Sequence, residues 1–209
     1  MKIAVIAANG RSGQAFVQCA LAAGHEVRAG VLSKNTLKPR PKLTVTRCDA
    51  TKEKDTKNLI AGQDAVVSLI GHVKGSVPDV QTVAIQKIVA AMKQTRIKRL
   101  VSLTGTGVRF AGDKITLMDR LLNLAVALVD PKRVKDGINH VEVLKNSNLD
   151  WTLIRVLKLQ NVKPRAFALS EHGPTKWFVG RQEVAQAILE VLEKSSFIKK
   201  APIISPLKA

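Results

Sequence analysis

Residues 2–13 read Lys2-Ile-Ala-Val-Ile-Ala-Ala-Asn-Gly-Arg-Ser-Gly13, and Gln14–Ala23 continues Gln-Ala-Phe-Val-Gln-Cys-Ala-Leu-Ala-Ala. The apolar run Ile3–Ala7 has the length of a buried strand. The segment after Gly13 has helical apolar spacing and stops at Gly24, a natural C-cap. A glycine turn between a strand and a helix lets phosphate approach the main chain. Gly10 keeps side-chain atoms off the ligand, and Gly13 permits close helix–strand packing. The amides of Arg11 and Ser12 point outward from the helix N-terminus. Ala7 stands where a third glycine is usual; alanine is the mildest replacement, and its fit depends on φ. The context predicts a dinucleotide cofactor held by Asn9, Gly10, Arg11, Ser12 and Gly13.

The rhythm continues along the chain. Strand-like runs fall at Ile3–Ala7, Val27–Leu32, Leu43–Arg47, Ala65–Ile70, Leu100–Leu103 and Trp151–Val156. Helical patterns fall at about Gln14–Ala23, Glu53–Ala61, Val80–Thr95, Leu117–Val129, Val134–Asn146 and Gln182–Lys194. Pro131 breaks the fourth helix or opens the fifth. Short runs apolar on both faces, alternating with helices, predict an α/β, Rossmann-like doubly wound parallel sheet. With 209 residues the chain reads as one domain, 1–209. Residues 157–180, with Pro164, Gly173, Pro174 and Gly180, read as an irregular segment on the substrate side.

Composition narrows the function classes. Cys19 and Cys48 are too few for a disulfide framework and lack metal spacing, so reduced, packed thiols and no metal are expected. No apolar run is long enough to span a bilayer, and the apolar N-terminus is the first strand rather than a signal peptide. A cytoplasmic protein without a membrane partner is the expectation. The net charge of +18 favours anionic ligands and surfaces. Association with nucleic acid follows from that charge alone, because 3% aromatic residues leave few stacking platforms.

Cofactor choice is written at the end of the second strand. An acid about 20 residues past the last glycine marks NAD sites. Leu32-Ser33-Lys34 occupies that place. Ser33 and Lys34, with Arg11, can surround a 2′-phosphate, so NADP(H) is favoured over NAD(H).

The chain resembles the atypical short-chain dehydrogenases/reductases of the NAD(P)-binding, NmrA-like group, nearest their flavin reductase/biliverdin-IXβ reductase-like members. The resemblance rests on Ala7–Gly13, Gly62-Gln-Asp-Ala-Val-Val-Ser-Leu-Ile-Gly71, Ile88–Lys93, Val101-Ser-Leu-Thr-Gly105, Ser147–Arg155 and Gly180-Arg-Gln-Glu-Val-Ala185. It implies that Asp49 and Ala50 flank the adenine and that Leu69, Ile70 and Gly71 run beside the ribose and nicotinamide. It also implies that Thr104 and Gly105 lie under the nicotinamide ring. His72, Thr106 and Lys158 are candidates to line the substrate side. The family's Tyr-x-x-x-Lys pair falls near Arg133 and Gly137, and the chain contains no tyrosine. Arginine is no practical proton donor and glycine has no side chain, so no catalytic residue is assigned. Reduction of a flavin, quinone or similar planar acceptor needs positioning more than a dedicated acid. A non-catalytic NAD(P)-sensing regulator is the alternative, and the oligomeric state is open.

Overall fold

The computed structural model describes residues 1–73, 75–175 and 178–207. In chain order the elements are β1 (Lys2–Ile6), α1 (Arg11–Ala22), β2 (Glu26–Val31), β3 (Leu43–Arg47), α2 (Glu53–Ile60) and β4 (Ala65–Ser68). They continue with α3 (Val80–Thr95), β5 (Arg99–Gly105), α4 (Leu117–Val129), α5 (Pro131–Lys145) and β6 (Asp150–Val156). The last are β7 (Leu159–Gln160), β8 (Phe167–Ser170), β9 (Val179–Gly180), α6 (Arg181–Glu193) and β10 (Ile203–Pro206). An 8-stranded sheet runs in the order β3-β2-β1-β4-β5-β6-β10-β8. Its strands pair in parallel except for the antiparallel β10–β8 edge.

Alternation along β1 explains the two cores. Ile3 and Val5 face α1 and α6 through Phe16, Val17, Val184 and Ile188. Ala4 and Ile6 face the other layer, where Leu59, Ile85, Ile88, Met92 and Leu144 pack. Period-two side chains on a sheet covered by helices on both faces give this division.

The expected elements match the strands and helices within a few residues at each boundary. Among its described residues, the segment 157–180 contains β7, β8 and β9, more regular structure than expected. Arg155, fully buried in β6, ties the neighbouring loops together. It donates to Asp113 at 2.5 and 2.8 Å and to the carbonyls of Val108, Ala201 and Glu171. Both cysteines are free thiols, and burial pushes Cys48 up to about 11.

Candidate dinucleotide site at the strand carboxyl ends

Strand β1 ends in a turn shaped around close backbone packing. Gly10 donates to the Ala7 carbonyl at 3.0 Å, and Gln14 donates to the Gly10 carbonyl at 2.8 Å. A Cβ on Gly13 would lie 2.3 Å from the Ala7 oxygen and 2.7 Å from Ala8 backbone atoms, so only glycine fits without movement. A Cβ on Gly10 would lie 3.3 Å from the same oxygen. Ala7 takes φ 60°, the left-handed conformation that the usual glycine adopts easily. Gly10 caps α1 without a side-chain hydrogen bond, and the first turn carries no acid. The first amides of α1 therefore have no acidic side chain against them, and the helix dipole favours negative charge there. A cradle that a Cβ would fill, with no acid in it, fits a dinucleotide pyrophosphate.

The loop after β2 is tied to this turn. Asn9 Nδ2 donates to the Lys34 carbonyl at 2.8 Å. Its Oδ1 accepts from the Thr36 amide at 2.9 Å and the Thr36 hydroxyl at 2.6 Å. Gln14 Nε2 braces both, donating to the Asn9 carbonyl and to Thr36 Oγ1. The Asn9 side chain thus holds the loop after β2 instead of reaching outward. Ser33 and Lys34 are exposed beside the turn, and residues 32–42 contain Lys34, Lys38, Arg40 and Lys42 but no acid. Asp49 and Ala50 are half-buried past β3. The Thr51 hydroxyl, donating to Asp49 Oδ1 at 2.7 Å, holds that carboxyl below the usual range.

At the other end, Leu69 continues β4 by donating to Ile6, and Ile70 accepts from Gln81 Nε2. Gly71 and Gly105 expose main chain at the ends of β4 and β5, and Thr104 is buried behind them. The substrate-side candidates are distributed differently. His72 is half-buried, with Nε2 2.9 Å from Asp136 Oδ2. Asp136, on α5, also accepts from the amides of Gln81 and Thr82 at 2.9 Å each, so its carboxylate caps α3. Thr106 is buried and donates to Asp119 Oδ1 at 2.6 Å. Lys158 is exposed, its ammonium 5.0 Å from the Phe178 ring.

At the place of the family's lysine, a Cβ on Gly137 would lie 3.0 Å from Val108 and 3.3 Å from Thr104 Oγ1. Helix α5 therefore approaches β5 too closely for a long side chain there. Nearby, His140 Nε2 lies 3.1 Å from Ser102 Oγ, while Nδ1 has no partner. Burial pushes this histidine down to about 4, so the ring is neutral.

Sequence reasoning missed Arg181. It is the first residue of α6, which packs along α1, so its guanidinium joins the Arg11 patch. Burial and the Arg11 charge both lower its pKa, the response of a cation held beside another cation. Arg181 Nη1 donates to Asn161 Oδ1 at 2.7 Å. A sequence signal existed in the Gly180-Arg181 phrase, but only folding brings two helix starts together. Among the described residues, no group of three or more His, Cys, Asp or Glu is placed to hold a metal ion.

Comparison with known proteins bears on the family and the fold. A family model described as NAD(P)H-binding matches residues 7–195. An uncharacterized chloroplastic protein of Arabidopsis thaliana is 26% identical over 215 residues, spanning 94% of this chain and 74% of that protein. A short-chain dehydrogenase/reductase from Veillonella parvula, solved with NADP, has a TM-score of 0.82 at 17% identity, covering 98% of this chain and 94% of that one. A Streptococcus pneumoniae protein provisionally named an NADH-flavin reductase has a TM-score of 0.80 at 24% identity, covering 99% of this chain and 100% of that one.

Proposed function

This chain belongs to the NAD(P)H-binding family, and we propose that it is an NADPH-dependent reductase of a flavin, quinone or similar planar acceptor. One observation carries the acceptor class. Gly71 follows β4 and Gly105 ends the neighbouring β5, and neither carries a side chain: a Cβ at Gly71 would meet nothing within 4 Å, and one at Gly105 only backbone at 3.9 and 4.0 Å. Open main chain at two adjacent strand ends suits a flat ring. The cofactor's nicotinamide supplies the hydride, and the chain's own residues bind, orient and shield. Arg11, Ser33 and Lys34 support NADP(H) through charge-assisted bonds to the 2′-phosphate. The protein provisionally named a flavin reductase and the one solved with NADP are consistent with this reading.

NADPH oxidation with free flavin or a soluble quinone tests it. Turnover is expected with planar acceptors and not with simple ketones, because the chain has no tyrosine to protonate a carbonyl oxygen. Gly10→Val should abolish both binding and turnover while leaving the fold largely intact, because its Cβ intrudes where the pyrophosphate approaches. Rapid ketone reduction would defeat the acceptor assignment. A second reading, a non-catalytic NAD(P) sensor, is favoured by Gly137 filling the family's lysine position. It predicts NADPH binding without turnover on any of these acceptors.

A further inference from the structure

Helix α4 is inside out. Its polar residues Asp119 and Asn123 face inward, where Asp119 is 1% exposed and accepts from Thr106, Arg109 and Asn123. Its apolar residues face solvent: Leu117, Leu121, Leu124 and Leu128 are 72%, 55%, 55% and 76% exposed. Those four recur at i, i+4, i+7 and i+11, one continuous stripe, with Met118 and Val129 beside it. The main packing partner of α4 is α5, which leaves this stripe bare. An exposed apolar surface of this kind marks an interaction site.

The surrounding charge says what covers it. Across residues 114–135 the exposed charged side chains are Lys114, Arg120, Lys132, Arg133 and Lys135, all basic. The acids in that stretch are withdrawn: Asp119 is buried, and Asp130 caps α5 by accepting from the Arg133 amide. A second copy seated on the stripe would bring these cations against their own equivalents, on a chain of net charge +18. Lipid acyl chains match the stripe, and anionic headgroups match its rim. We propose that α4 docks this protein in the plane of an anionic lipid bilayer. The helix has 13 residues, and among the described residues no helix is long and apolar enough to cross a membrane, so the contact is peripheral.

Sedimentation of the full chain with vesicles tests the proposal. Vesicles of phosphatidylcholine with about one-third phosphatidylglycerol should bind it, and pure phosphatidylcholine should bind it at least tenfold more weakly. The triple variant Leu121→Ser, Leu124→Ser, Leu128→Ser should lose at least tenfold in affinity for the anionic vesicles at unchanged circular dichroism. Lys132→Glu with Arg133→Glu, which leaves the stripe intact, should weaken the same binding and make what remains less sensitive to salt. Unchanged binding of the serine variant would overturn the proposal, since charge alone would then account for association. So would a wild-type dimer that the serine variant dissociates, or absence of binding to the anionic vesicles.

Discussion

Ala7 carries a conformational cost that its neighbours impose. Its φ of 60° is set by the turn: the Ala7 carbonyl must accept from Gly10 and pass close to Gly13. A left-handed alanine costs about 1–2 kcal/mol, and glycine returns about 0.4–1 kcal/mol of that through the freer unfolded chain. Ala7→Gly is expected to stabilise the fold by about 0.5–1 kcal/mol, or raise Tm by about 1–4 °C in a chain of this size. Calorimetry that finds Tm unchanged or lowered would contradict the strain. His140 carries a different cost. The unfolded chain takes up a proton near the ordinary histidine value of 6.5, whereas the folded ring refuses it until about 4. Stability therefore falls as pH drops from about 6.5 toward 4, by up to about 3 kcal/mol from this group, and the loss levels off below. Denaturant titrations from pH 7 to 4 should show a shallower decline in His140→Gln. Parallel curves for the two proteins would mean that the buried ring is not the cause.

At the scale of elements, legibility followed burial and locality. Strands β1 to β6 were readable because parallel strands covered on both faces are uninterrupted apolar runs. Strand β10 is buried along its length, yet Ile203-Ile-Ser-Pro206 is short and follows Pro202, a pattern that argues against a strand. Strand β8 is a partly exposed antiparallel edge of four residues, with little periodicity to find. In the site, Gly10 and Gly13 were visible because they are contiguous with β1 and α1. The His72–Asp136 contact joins residues 64 apart in sequence, and no spacing rule reaches that far. Helix α4 misleads in the opposite direction, since its apolar residues suggest burial and the fold leaves them outside. What fixes its orientation is the Asp119 carboxylate. Asp119→Ala would leave Arg109, Thr106 and Asn123 without their shared acceptor, at about 2–3 kcal/mol. Amide hydrogen exchange should accelerate across residues 106–129 while β1 and β4 keep their protection. Uniform acceleration through the sheet would show that Asp119 supports the whole core and not this helix alone.

The molecule as a whole is a cation, and its candidate anion site lies at the start of α1, with Arg181 of α6 beside it. The dipole of α1, the Arg11 and Arg181 guanidiniums and the lysines of the 32–42 loop all favour a negatively charged ligand, whereas the start of α6 already holds the buried Glu183 carboxylate. Their contributions differ by position and can be separated. On the proposed reading, Arg181, beside Arg11 at the helix starts, would meet the pyrophosphate, which NADPH and NADH share. Lys34, in the loop held by Asn9, would meet the 2′-phosphate, which only NADPH carries. Each charge-assisted contact is worth about 1.5–3 kcal/mol, roughly ten- to a hundredfold in affinity. Arg181→Ala should therefore weaken both dinucleotides by a similar factor, while Lys34→Ala should weaken NADPH by about tenfold or more and leave NADH nearly unchanged. Raising salt should erode NADPH binding more steeply than NADH binding, because NADPH has the extra phosphate to screen. Titration calorimetry of the three proteins at two ionic strengths measures all of this. Equal loss of both cofactors in Lys34→Ala would move that lysine to the pyrophosphate and remove the basis for NADP(H) preference. No effect of Arg181→Ala would separate α6 from the cofactor and leave the α1 turn as the sole anion cradle.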